Sequence, residues 1–180
     1  LTVIPSPLAL TSASRLPRTE AYLRRCASAA ALVNAFTATK MVDKIAAKYG
    51  RKVYEVPVGF KYICELMLEK DILLGGEESG GIGSKLYLPE RAATVMALLL
   101  VELMAWHGKT LGELVRQLHA EYGEHHYGRV DLKLKPGQKE KALEHFANGK
   151  LKRLLDWPVV RREDLDGIKL RVMQNNVFLE

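Results

Sequence analysis

"LLGGEESGGIGSKLYLPERAA", residues 73–93, places five glycines around two adjacent carboxylates and a serine, with Lys85 and Arg91 close behind. The run "ILLGG" that leads into it (72–76) is apolar, ends in glycines and is too short for a helix, so it reads as a strand. Downstream, Pro89 is a natural first-turn residue and opens an apolar helix of about sixteen residues. The stretch is therefore a connection between a strand and a helix. In open α/β sheets such connections gather ligands.

The same alternation runs outward. "LVNAF" (32–36) is a short strand, and "TKMVDKIAAKYG" (39–50) puts Met41, Val42, Ile45 and Ala46 on one helical face, with Gly50 where a helix should stop. "KVYEVPV" (52–58) is extended, and "GFKYICELMLEKD" (59–71) sets Phe60, Ile63, Met67 and Leu68 on one face. "TLGELVRQLHAEYG" (110–123) begins with Thr110 and Glu113 in capping-box spacing. Strands alternating with helices give an α/β domain over 32–124. Beyond "YGEHHYGRV" the texture changes. "VDLKLKP" (130–136) alternates like a half-buried strand, "QKEKALEHF" is an amphipathic helix and "GIKLRVM" is another strand, as in the opening of a smaller α+β domain over 125–180. Residues 1–31 mix Ser, Pro, Ala and Arg without a sustained period; a short helix from Thr19 is the most they predict.

The loop's chemistry favours a polar ligand over a nucleotide. Glu77 and Glu78 would repel a phosphate cradled by backbone amides, and no lysine follows at the spacing of a phosphate loop. Ionised Glu77 is an acceptor that can take hydroxyl hydrogens from two neighbouring sugar carbons. Ser79, two residues on in an extended loop, would point the same way. The glycines admit a close backbone approach, and Lys85 and Arg91 supply positive charge for a phosphate ester. On composition alone a solvated turn explains the Glu-Glu pair as readily, and Arg91 could pair with a helix-terminal acid. Lys61 reads as a helix-surface lysine, and Asp164 and Asp166 as turn and cap residues. His125 and His126, adjacent in sequence, are poorly spaced for one metal ion.

Bulk properties narrow the field. The net charge of +6 is spread: residues 1–31 carry +3, residues 129–180 carry +4 and the middle of the chain −1, with acids interspersed and no stacking aromatics. That argues against a nucleic-acid partner. The longest apolar run, "TVMALLLVELMAW" (94–106), is too short to span a bilayer and contains Glu102, so no membrane partner is expected. Cys26 and Cys64 sit in no metal or redox spacing, which fits a reducing cytoplasm.

Taken together, "TATKMVDKIAAKYG", "VYEVPVGFKYI", "LLGGEESGGIGSKLYLPER" and the weaker "EDLDGIKL" resemble, in order, segments of the α-D-phosphohexomutases, the phosphoglucomutase/phosphomannomutase family. The resemblance covers roughly residues 32–172. It implies the third of four domains, a mixed sheet packed by helices that binds the hydroxyls of a hexose phosphate, followed by the start of the fourth. It implies Glu77 and Ser79 as hydroxyl binders, Gly59 as a backbone contact near the ring, and Arg91, with Lys85 second, as phosphate-contacting cations. Val58 stands where many members have threonine.

The family's phosphoserine loop and its magnesium-holding Asp-Gly-Asp-x-Asp-Arg loop have no counterpart here. The resemblance therefore implies no catalytic residue and no metal in this chain, and Mg2+ only through other domains of a parent enzyme. Ala92 and Ala93 replace a usual Asp-Gly, removing a cap from the long helix. The leucine at position 1 and the unfamiliar ends lead us to expect a piece of a longer protein, with ends altered by a frameshift or truncation.

Overall fold

The computed structural model describes residues 30–147, 151–174 and 177–179; the helix expected from Thr19 lies outside them. Strand β1 (Ala31–Ala35) is followed by helix α1 (Met41–Lys48), β2 (Val53–Val56), α2 (Phe60–Glu69), β3 (Ile72–Gly76) and β4 (Ile82–Ser84). The sheet order is β2-β1-β3-β4. β1 lies parallel to both β2 and β3, whereas β4 returns antiparallel to β3. The fold is thus α/β with a mixed sheet. The steps from β1 to β2 and from β2 to β3 run in opposite directions, so right-handed crossovers put α1 and α2 on opposite faces.

The core forms where α2 meets the sheet. Ala31 and Val33, alternate residues of β1, pack with Val56, Ile72, Phe60 and Ile63. Gly75 allows this closeness: a β-carbon there would overlap Ile63 Cγ2 and lie 2.9 Å from Val33 Cγ1. Leu68 does not join them. It lies about 140° round the helix from Ile63 and is 73 % exposed.

The long apolar helix α3 (Ala93–His107) begins later than Pro89 predicts. Residues ahead of it are held along the sheet: the Ala92 amide donates to the Ile82 carbonyl at 3.0 Å, and Gly83 lets the Glu90 carbonyl approach closely. Ala92 gives the helix no side-chain cap. Gly108, at φ 60°, ends it, and α4 (Leu111–Tyr122) leaves at 80°. Among the described residues no single helix is long and apolar enough to cross a membrane. The Thr110–Glu113 capping box forms as spaced, and α4 is tied to α1 by the Lys48–Glu121 ion pair and by Lys44 Nζ donating to the Tyr122 carbonyl.

Helix α5 (Gln138–Ala147) then precedes an antiparallel sheet of β5 (Arg153–Leu154), β6 (Trp157–Glu163), β7 (Lys169–Gln174) and β8 (Val177–Leu179), in that order. One reading of this region needs correction. Residues 130–136 form no strand: among the described residues no strand pairs with them, and Val130 and Leu132 are exposed. Pro158 lies inside β6, beside a register shift between Val159 and Arg161, an irregularity that accommodates the missing donor.

Two outcomes follow from this packing. Gly75→Ala should lower stability by about 1–3 kcal/mol, the usual effect of overpacking a tight core, visible as a reduced urea midpoint at unchanged slope. The amide and hydroxyl of Thr110 hold the Glu113 carboxyl below the ordinary glutamate range. Its contribution is therefore complete above the unfolded glutamate pKa and lost as pH falls through the lower folded value. Thermal melts of Glu113→Gln across acidic pH should lose that part of the wild-type acid sensitivity.

Candidate functional site

The C-terminal ends of the three parallel strands form one rim, and the residues there arise from three turns. After β3 the chain does not stay extended. The Gly80 amide donates to the Glu77 carbonyl at 3.1 Å and the Glu77 amide to the Gly81 carbonyl at 2.9 Å, closing a tight hairpin turn into β4. Gly80 takes φ 88° in it, a conformation open to glycine. Ser79 sits exposed at the tip. The alternation that would aim Ser79 along with Glu77 therefore does not apply, because residues 77–80 turn instead of running straight.

Glu77 and Arg91 come together across Gly81. A β-carbon at Gly81 would lie 2.9 Å from both Glu77 Oε2 and Arg91 Cδ. The Arg91 guanidinium carbon stands 5.5 Å from the centre of the Phe60 ring, a cation–π contact that restrains a long side chain. Arg91 Nε lies 3.5 Å from Glu90 Oε1, so the helix-terminal acid is also a neighbour. Glu78 faces elsewhere, accepting a hydrogen bond from the Thr37 hydroxyl just beyond β1.

Gly59 joins the rim from β2. Its φ of 130° would strain any other residue, and it serves as the N-cap of α2. Among the described residues no side chain caps that helix and its first turn carries no acid, so the positive end of its dipole, beside Phe60 and Arg91, favours negative charge. Val58, beside Gly59, is exposed. Lys61 is on the helix surface, its ammonium 4.6 Å from the Tyr62 ring centre.

Lys85 is not part of this cluster. β4 runs back along β3, so Lys85 is carried to the opposite end of the strand, where its amide bonds the Leu73 carbonyl and its ammonium pairs with Asp71. The Glu77 carboxylate and the Arg91 side chain are brought to one place; Lys85 is carried away.

Sequence reasoning missed part of the rim. Asp166, in the turn between β6 and β7, accepts the Val58 amide at 2.7 Å, and Lys169 Nζ lies 4.3 Å from the centre of the Phe36 ring. Spacing carries no signal for contacts between residues so far apart in the chain. Burial pulls the Lys40 ammonium's pKa down, yet the hydrogen bond and charge of Glu55 outweigh it and hold the group above the ordinary lysine value. Cys64 on α2 has its thiol pushed up by burial and by the Glu90 charge, so it stays protonated at neutral pH.

His125 Nδ1 lies 3.0 Å from the Gly123 carbonyl oxygen and His126 Nε2 3.0 Å from Glu124. Among the described residues no three of His, Cys, Asp or Glu are grouped to hold a metal ion. They do not fit the magnesium that the resemblance implies for a parent enzyme.

The chain matches the family "Phosphoglucomutase/phosphomannomutase, alpha/beta/alpha domain III" over residues 16–122, a match that starts ahead of Leu32. It is 30 % identical over 106 residues to a phosphoglucomutase of Komagataeibacter xylinus, covering 56 % of this chain and 19 % of that protein. Against phosphoglucomutase 1 of Drosophila melanogaster it is 34 % identical over 90 residues, covering 50 % and 16 %. The chain thus spans less than a fifth of either relative. A crystal structure from Thermus thermophilus, assigned as a phosphomannomutase, superposes with a TM-score of 0.67 at 32 % identity, covering 86 % of this chain and 31 % of that one. The chain belongs to the phosphoglucomutase/phosphomannomutase family, whose alpha/beta/alpha domain III it carries.

Proposed function

We propose that this chain is the hexose-phosphate-holding part of a phosphoglucomutase or phosphomannomutase, an enzyme that moves a phosphoryl group between carbons 1 and 6 of the sugar. The observation that carries the reading is the approach of the Glu77 carboxylate and the Arg91 side chain to each other over Gly81, beside the N-terminus of α2. A carboxylate accepts two adjacent hydroxyls, and a guanidinium with a helix N-terminus favours the ester. Ser79, at the exposed turn tip, is a second hydroxyl contact, and the Gly59 backbone is a third.

Such a grip suits a reaction in which a sugar bisphosphate must turn end for end. A site that reads ring hydroxyls leaves both phosphate ends open to exchange. In this reading the nucleophile and the magnesium ion belong to other domains of the parent enzyme, which works in the cytoplasm; this chain orients the sugar. Phosphoryl transfer depends on positioning and charge stabilisation at the transferring group, and the rim supplies only the positioning. A stand-alone hexose-phosphate binder without chemistry would use the same residues.

Titration with glucose 1-phosphate should shift the amide signals of residues 59–61 and 76–81, and Glu77→Ala should abolish those shifts while Lys85→Ala preserves them. Silence at millimolar ligand would contradict the reading. The isolated polypeptide should show no mutase turnover; activity in a pure preparation that vanishes in Glu77→Ala would overturn that expectation.

A further inference from the structure

We infer that the turn between β6 and β7 is a latch that sets the backbone at Val58–Gly59, with Asp166 and Lys169 as its positioning residues. The inference rests on the reading of Gly59 as part of the sugar site. Two separate contacts from this turn reach the rim. Pro57 has no amide hydrogen, so Val58 offers the first donor after β2, and Asp166 Oδ2 accepts it at 2.7 Å. That bond fixes the residue directly before Gly59, whose φ of 130° opens α2.

Lys169 anchors the turn from the other side. Its side chain is 9 % exposed, its ammonium lies 3.7 Å from Glu55 Oε1 and 3.8 Å from Glu163 Oε2, and it rests over the face of Phe36. Among the described residues its ammonium has no hydrogen-bond partner. Glu55 also pairs with Lys40 beside α1, and Glu163 with Arg161 at 2.7 Å and Arg171 at 3.3 Å. The result is an alternating row of charges, Lys40–Glu55–Lys169–Glu163–Arg171, that crosses from the first sheet to the second. A half-buried row of this kind is costly to break at one member, because the neighbours keep their charges without compensation. Asp166 is itself exposed, so its replacement tests the latch without emptying the core.

The test uses the whole 180-residue chain and two readouts, hydrogen exchange at the Val58 amide and the dissociation constant for glucose 1-phosphate. Asp166→Ala should speed Val58 exchange by about tenfold or more and weaken glucose 1-phosphate by about threefold or more through lost preorganisation. Asp166→Asn keeps an acceptor oxygen and should stay near wild type in both. Lys169→Met, which removes the charge and keeps much of the stem, should move both readouts in the direction of Asp166→Ala. Unchanged exchange at Val58 in Asp166→Ala, or faster exchange with unchanged affinity, would overturn the inference. A wild-type chain that does not respond to glucose 1-phosphate would overturn the sugar reading alone, and Val58 exchange would then decide whether the turn holds the rim.

Discussion

The close approach of helix α2 to the β3–β4 hairpin is the constraint on which the other features depend. Two glycines allow it, and a third makes room beside it. Gly75 admits Ile63 and Val33, Gly83 admits Phe60 and the Glu90 carbonyl, and Gly81 leaves room for Glu77 and Arg91 side by side. Without that clearance the helix would stand further from the sheet, Phe60 could not support the guanidinium, and the acid and the cation would lie on separate surfaces. Packing and site chemistry are thus one problem here. The residues that tighten the core also determine the distance between the two charged groups.

Much of the first sheet is legible in the sequence because its signals are local. The period of α1 and α2, the glycine after α1 and the short apolar runs of β1 and β3 all report on neighbours a few residues away. What escapes depends on distant partners. Helix α3 starts at Ala93 and not at Pro89 because the Ala92 amide is held by Ile82, which apolar composition cannot reveal. Lys85 is near Glu77 in sequence yet far along the strand, because a hairpin reverses the chain between them. Ser79 sits at the tip of a turn and not in an extended run, so the two-residue alternation cannot say where it points relative to Glu77. Asp166 reads as an ordinary turn residue; its partner Val58 is 108 positions away.

The two sheets meet through polar contacts. Among the described residues a hydrogen bond, a cation over an aromatic ring and a row of alternating charges cross this boundary, whereas the cluster between α2 and the first sheet is apolar. Polar contacts of this kind set geometry more than they add stability. They hold the end of β2 and the start of α2 in place, and so bear on the same rim that the glycines shape from the other side.

The central claim is that Glu77 and Arg91 together grip a phosphorylated sugar at this rim. A crystal structure of the chain grown with glucose 1-phosphate tests it most directly. The account predicts two adjacent ring hydroxyls within about 3 Å of the Glu77 carboxylate and the ester facing Arg91 and the N-terminus of α2. A sugar seated instead beside Asp71 and Lys85, or a rim in which Glu77 and Arg91 close on each other and exclude it, would contradict the claim.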